Sequence, residues 1–211
     1  MGRTLCVWYP DWPLRRPDAP PDRPAQAVGE DNRVIAINRL AAEAGVRHGM
    51  RRGEAEAVCP TVVTIASDPG IESVRFEPVA RAIEELIPKI ELAAPGLVFA
   101  PVAGAVKYYG GERPLVDLIC KDIDRVTGAG FKIGLASGPF AAQRAAEVAD
   151  PVLIVEDDSD FLASLDITSL GSEELAATFR WLGITTLGAL AELPRDAVAT
   201  RFGPLGTQAH R

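Results

Sequence analysis

Gly45-Val46-Arg47-His48-Gly49-Met50, continued through Ala55 to Cys59-Pro60, is the stretch whose reading decides the fold. Its glycines part an Ala-rich run, Arg39 to Ala44, from a second short run, Glu54 to Val58. Glycine tolerates the left-handed backbone that ends a helix. Proline lacks the N–H that would continue one, so Pro60 is a stop. Asn38 stands where a side-chain oxygen can cap the free amides of the first turn. The stretch therefore predicts a pair of short helices joined by a glycine turn. Val34-Ile35-Ala36-Ile37 before it and Val62-Val63-Thr64-Ile65 after it are β-branched runs that predict strands.

Working outward, Thr4 to Tyr9 is a short apolar and aromatic run, read as a buried strand that Pro10 and Pro13 end. Leu14 to Pro24 is dense in Pro, Arg and Asp and reads as an exposed loop. Ser67-Asp68-Pro69-Gly70 is turn chemistry and marks a boundary. Beyond it, Glu72 to Ile87 carries Phe76, Val79, Ala80, Ile83, Leu86 and Ile87 at helical spacing. Ile90 to Leu92, Leu97 to Val102 and Ala105 to Tyr109 read as strands, Leu115 to Val126 as a helix, and Phe131 to Ala136 as a strand. Pro139 suits the first turn of a helix over Phe140 to Ala149, and Val152 to Val155 is a last short strand. From about Phe161 the chain reads as helical, with Ser172 capping Glu173 to Leu182 and a tight turn, Gly183 to Gly188, before Leu187 to Leu193. Helices and strands in this order predict an α+β fold, a mixed sheet with helices packed on one face.

Bulk properties limit function. The 211 residues carry a formal net charge of -7, whereas proteins that grip DNA through phosphate show a basic balance or face. Strong autonomous DNA binding is therefore not expected. Cys6, Cys59 and Cys120 are far apart, and with His48 and His210 they make no zinc set, so buried thiols are expected and no metal. No apolar run reaches the roughly 20 residues needed to span a bilayer, and no signal pattern opens the chain. A cytoplasmic protein is the expectation.

The first motif, written A-x-x-x-G-V-x-x-G-M-x-x-x-x-A-x-x-x-C-P, resembles the fingers segment of the Y-family, the lesion-bypass DNA polymerases. Three further blocks extend the resemblance: Trp8-Tyr9-Pro10-Asp11-Trp12-Pro13, then Ala94-Pro95-Gly96-Leu97-Val98-Phe99 before Gly104, and Ile133-Gly134-Leu135-Ala136-Ser137 before Phe140. Trp181 to Leu190, with Leu193-Pro194 and Arg201-Phe202-Gly203, resembles the family's thumb helix-hairpin-helix. The resemblance implies a palm over 1–10 and 69–160, fingers over 11–68 and a helical thumb over 161–211, with the family's little finger absent from this chain.

It also implies where chemistry should sit. The family's metal-binding acids fall on Trp8, Gly96 and Leu97, and no Asp or Glu occurs between Glu91 and Glu112 to restore them. Its triphosphate contacts fall on Arg39, Ala42 and Gln143. Trp, Gly and Leu offer none of the hard anionic oxygens that magnesium takes. The expectation is thus a chain that is not an enzyme and holds no cofactor, similar to the ImuB type of Y-family-like protein. That type implies an adaptor in damage-induced (SOS) translesion mutagenesis, associated with the nucleoid on DNA damage. Its partners would be an error-prone C-family polymerase, a RecA-like accessory protein and the sliding clamp, with weak DNA contact through Gly183, Thr185, Gly188, Arg195 and Arg201. The rival expectations are an active bypass polymerase using displaced acids such as Asp11 and Glu91, and a truncated fragment without independent function.

Other motifs read more plainly. Gly128 and Gly130 precede a strand and form a turn rather than a dinucleotide loop. Glu156-Asp157-Asp158 with Asp160 is a solvated acidic loop before a helix. Arg15, Arg16, Arg47, Arg51 and Arg52 are the one local basic concentration, open to a DNA or a protein contact.

Overall fold

A strand paired on both edges buries alternate residues against whatever covers each of its faces, and β1 (Thr4–Trp8) is covered on both. The computed structural model describes residues 2–209; Met1, His210 and Arg211 lie outside the described residues. In chain order β1 is followed by β2 (Ala25–Val28), β3 (Val34–Ile37), α1 (Arg39–Glu43), α2 (Arg52–Val58), β4 (Val63–Ala66) and α3 (Pro69–Glu84). Then come β5 (Glu91–Ala94), β6 (Leu97–Pro101), α4 (Ala103–Tyr109), α5 (Glu112–Thr127), β7 (Lys132–Ala136), α6 (Pro139–Val148) and β8 (Val152–Ile154). Four helices follow: α7 (Asp158–Ala163), α8 (Glu173–Trp181), α9 (Leu187–Ala191) and α10 (Arg195–Ala209). The described residues divide into two units, the first ending at Ile154 and the second beginning at Val155.

In the first unit a five-stranded sheet runs β5-β6-β1-β7-β8. It is antiparallel except for the parallel β7–β8 pair, the mixed sheet expected. Leu5 and Val7 of β1, Val98 and Ala100 of β6, and Ile133 and Leu135 of β7 point to one face. There they meet Phe76, Val79 and Ile83 of α3 and Leu115, Val116, Ile119 and Ile123 of α5. Each of the buried Val, Leu, Ile and Phe side chains contributes about 1.5–3 kcal/mol by leaving water. The helices expected on one face are α3 and α5; α6 lies across the other. Cys6 pairs with Gly134 there, and the space a side chain on Gly134 would take is filled by Ala142, Ala145 and Ala146 of α6. Burial pushes the Cys6 thiol up to about 12, so it is an inert packing group.

The quoted motif folds as its spacing predicts. Asn38 Oδ1 accepts from the Ala41 N–H at 2.9 Å, and Gly45 and Gly49 have φ of 97° and 82°. Ala41, Val46, Ala55 and Cys59 are buried together with Val34, which explains why these positions carry small or compact residues. The helix pair sits beside a three-stranded sheet, β3-β2-β4. Its central strand β2 has no signal in the sequence because Ala25-Gln26-Ala27-Val28 does not alternate; all of it is buried, Gln26 included.

One element is corrected outright. Ala105 to Tyr109, expected as a strand, is part of helix α4. Val106, Tyr108 and Tyr109 are strand formers by propensity, but Ala105, Val106 and Tyr109 contact the core beside Val102 at helical spacing, and tertiary packing overrides propensity. Gly110, in the left-handed region, closes the helix, and Gly111 donates to Val106 O at 2.9 Å.

The second unit is helical around Ile167, Ala176, Phe179, Leu187, Leu190 and Val198. Ser172 and Thr186 cap α8 and α9 through Leu175 N–H and Ala189 N–H. Asp157 caps α7, so the acidic run is a solvated helix start. Asp166 accepts from the Thr168 hydroxyl, the Thr168 N–H and Arg180 Nη2 (2.6, 2.9 and 2.8 Å), which hold its carboxyl at about 2. A depressed folded-state pKa means the contribution is full above the unfolded value, roughly 4, and is lost as pH falls through about 2. Thermal unfolding of the wild-type protein should therefore lose more of its midpoint between pH 4 and 2 than that of Asp166→Asn; parallel pH profiles would refute the assignment. No helix among the described residues is long and apolar enough to cross a membrane.

Candidate nucleic-acid interface

Strand pairing places the three expected acid positions together at one end of the five-stranded sheet. Trp8 lies directly across from Leu97 on one side and Lys132 on the other. Gly96 is the turn residue before β6, with φ of 87°, and its carbonyl accepts from the Tyr9 N–H at 2.8 Å. A Cβ on Gly96 would come within 2.6 Å of Trp12 Cβ, so the turn is shaped around that ring. Trp12 is buried against Tyr9 and Phe76, edge to face, and its Nε1–H donates to Glu72 O at 3.0 Å.

The donor set here does not fit a pair of divalent ions. Trp8, Gly96 and Leu97 carry no anionic oxygen. Asp11 accepts from Arg15 Nε at 2.9 Å, and Glu91 is exposed on the edge strand β5. Among the described residues no group of three or more His, Cys, Asp or Glu could hold a metal ion. Arg15 is itself fixed: its Nη2 donates to Ala129 O at 2.7 Å, and its guanidinium stands 4.9 Å from the Tyr9 ring centre. Gly130 leaves room for that guanidinium. Tyr9 OH shares a 2.6 Å hydrogen bond with the Thr127 hydroxyl, and burial raises its pKa.

The expected triphosphate contacts are dispersed. Arg39 pairs with Glu43 on α1, and the Ala42 carbonyl accepts from Arg47 at 2.8 Å. Gln143, on α6, donates to Glu147 Oε1 at 3.4 Å. Arg144 pairs with the same Glu147 at 2.6 Å, and Lys132 Nζ donates to the Glu147 carbonyl at 3.1 Å. Desolvation raises the Glu147 pKa. The basic concentration is also mostly committed, since Arg15 meets Asp11, Arg16 meets Asp18 and Arg52 meets Glu56.

In the second unit Gly183 has φ of 82° and is exposed, as is Thr185. Gly188 packs on Ala163, whose carbonyl oxygen would lie 2.9 Å from an added Cβ, so this glycine serves close approach of α9 to α7. Arg195 and Arg201 are exposed, and neither meets a carboxylate at ion-pair distance among the described residues. The sequence reading passes over Phe99 and Lys132. The i, i+2 spacing of Leu97 and Phe99 is an available signal, but the cross-strand register that brings them to Trp8 is not written in either segment.

The chain is similar to proteins named DNA polymerases. The family model described as impB/mucB/samB matches residues 15–147. DNA polymerase IV 2 of Mesorhizobium japonicum is 27% identical over 177 residues, 81% of this chain and 43% of the relative. DNA polymerase IV of Dehalococcoides mccartyi is 27% identical over 191 residues, 86% of this chain and 49% of the relative. The chain thus spans less than half the length of these curated relatives. The crystal structure of DinB from Sulfolobus solfataricus superposes with a TM-score of 0.79 at 19% identity, covering 98% of this chain and 64% of that one. An insertion ternary complex of Dbh DNA polymerase gives 0.77 at 17% identity, covering 99% and 68%.

These relatives overturn the expectation that the chain is not an enzyme: they carry the name of one, DNA polymerase IV. The expectation rested on the side chains at three aligned positions. Those side chains describe one end of one sheet and do not by themselves set the catalytic status of a chain whose relatives carry an enzyme's name. The family model covers well over half of the described residues and the fold matches along nearly the whole chain, so the chain belongs to the impB/mucB/samB family of Y-family polymerases.

Proposed function

We propose that the chain is the DNA-engaging palm, fingers and thumb portion of a translesion-synthesis protein of the ImuB type. Its role there is that of an adaptor in SOS mutagenesis, holding an error-prone C-family polymerase, a RecA-like accessory protein and the sliding clamp at a damaged primer-template. Family membership over residues 15–147 is the observation that carries damage bypass. The palm would be residues 1–10 and 69–160, the fingers 11–68 and the thumb 161–211, with Trp8, Gly96 and Leu97 at the family's acid positions. The adaptor role concerns what the protein holds together and stands whichever subunit adds nucleotides.

DNA contact in this proposal runs through Gly183, Thr185 and Gly188 as backbone and packing, and through Arg195 and Arg201 as charge. Phosphate contacts of this kind are sequence-independent and salt-dependent. Fluorescence anisotropy with a labelled primed template should show weak binding. Changing both Arg195 and Arg201 to Ala should flatten the log–log salt slope by about two. Absence of binding at low salt ends the DNA reading. Binding without retention of the three partner proteins on a lesion-bearing template ends the adaptor reading. The relatives' names favour a second reading, templated nucleotide addition by this protein itself. Magnesium-dependent extension by the purified chain, lost in Asp11→Ala or Glu91→Ala, would carry it.

A further inference from the structure

The face of the five-stranded sheet opposite α3 and α5 is half covered. Cys6, Gly134 and Ala136 are buried on it, where α6 lies, whereas Trp8, Leu97 and Phe99 remain partly exposed. Strand pairing fixes that these belong together. Trp8 is across from Leu97, Cys6 is across from Phe99, and residues directly opposite in an antiparallel pair share a face. Phe99 is therefore the diagonal neighbour of Trp8, within reach of a large ring. Neither ring joins the main apolar core, and neither has an aromatic partner among the described residues. Lys132 is directly across from Trp8 on the other side; its ammonium donates to the Glu147 carbonyl at 3.1 Å, which uses one of its three N–H donors. No carboxylate stands in that row; Glu91, across from Phe99 on the edge strand, is exposed to water.

We propose that Trp8, Leu97 and Phe99 form a stacking platform for unpaired nucleobases at a DNA end, with Lys132 supplying the positive charge beside it. Flat, half-exposed aromatic rings on adjacent strands of one sheet face are a general means of holding bases without reading their identity. Every base offers a π-face to Trp8 and Phe99, Leu97 fills the apolar floor between them, and the ammonium complements the adjoining phosphate. The proposal rests on the DNA-engagement reading above and gives this surface a ligand class, the unpaired base rather than the duplex backbone.

The test separates the two readings. Trp12 is buried and Trp181 is exposed in the second unit, so in a Trp181→Phe background the fluorescence that solvent or DNA can reach reports Trp8. A primed template with an unpaired, frayed 3′ end should quench that emission, and the same DNA with abasic residues at the end should bind without quenching. Trp8→Leu with Phe99→Leu keeps apolar strand residues and should weaken binding of the frayed end roughly fivefold or more, while blunt-duplex binding stays unchanged. Circular-dichroism melts establish that the variant is folded. Equal quenching by abasic and base-bearing ends, or equal affinity of variant and wild type for the frayed end while Arg195→Ala/Arg201→Ala still weakens it, overturns the platform and leaves the DNA reading intact. No binding of any DNA overturns both.

Discussion

Gly134→Ala should lower the stability of the first unit by about 3 kcal/mol, at the upper end of overpacking costs, a drop of roughly 6–12 °C in its thermal midpoint. An alanine Cβ would stand 2.0 Å from Ala142 O, 2.4 Å from Ala146 N and 2.9 Å from Ala145 Cβ. Two of these are backbone atoms of α6, so no rotamer change relieves the contact; the helix itself must lift from β7. Lifting it uncovers Ala141, Ala142, Ala145 and Ala146, all buried, along with Cys6. The strand cannot yield either, because Gly134 is paired with Cys6 on one side and Leu153 on the other. Gly104→Ala provides the opposite sign. Gly104 is helical, has no atom within 4 Å of an added Cβ, and should gain up to about 1 kcal/mol from helix propensity. Melts that showed both substitutions neutral would mean that α6 does not lie on this face at the distance described.

The same contrast explains what the sequence could disclose. Gly45, Gly49, Asn38 and Pro60 act on their own neighbours, so helix, turn and stop are legible from spacing alone, and the buried Ala41, Val46, Ala55 and Cys59 follow the same period. Ser172 as a cap is legible for the same reason. Ala105 to Tyr109 differs from its expected strand because strand propensity and helical packing compete there, and the winner is set by Val102 and the core it meets, far along the chain. β2 escapes a sequence reading because a strand buried on both faces has no alternation to read. At the sheet end, the meeting of Trp8 with Leu97 is implied by family resemblance and is realised by register. The meeting of Trp8 with Phe99 and Lys132 depends on which strands flank β1, a property of the whole sheet. The expectation of a chain that is not an enzyme fails for a different reason: a few side chains at one sheet end do not outweigh relatives along most of the chain that are named DNA polymerase IV.

Trp12→Ala is the second large effect, expected to cost about 3–5 kcal/mol as a buried aromatic truncation. The ring packs edge to face on Phe76 at 4.9 Å and on Tyr9 at 5.1 Å, and Arg75 stands 5.5 Å from its centre, so one deletion opens a cavity that several side chains line. Trp12→Phe keeps much of that packing and loses chiefly the Nε1–H bond to Glu72 O, so it should cost about 1–2 kcal/mol. The consequence reaches the candidate interface through Gly96. Its turn is pressed against Trp12 Cβ and tied to Tyr9 N–H, and it leads directly into Leu97, the partner of Trp8. Gly96→Ala on its own meets both the 2.6 Å contact with Trp12 and a positive φ that alanine disfavours. In Trp12→Gly the Cβ it meets is gone and only the backbone strain remains. A double-mutant cycle of Gly96→Ala with Trp12→Gly should therefore show the two changes together costing less than their sum, by more than about 0.5 kcal/mol. Strict additivity would mean that the turn is held by its own backbone and that Trp12 does not set the position of the Trp8–Leu97 pair.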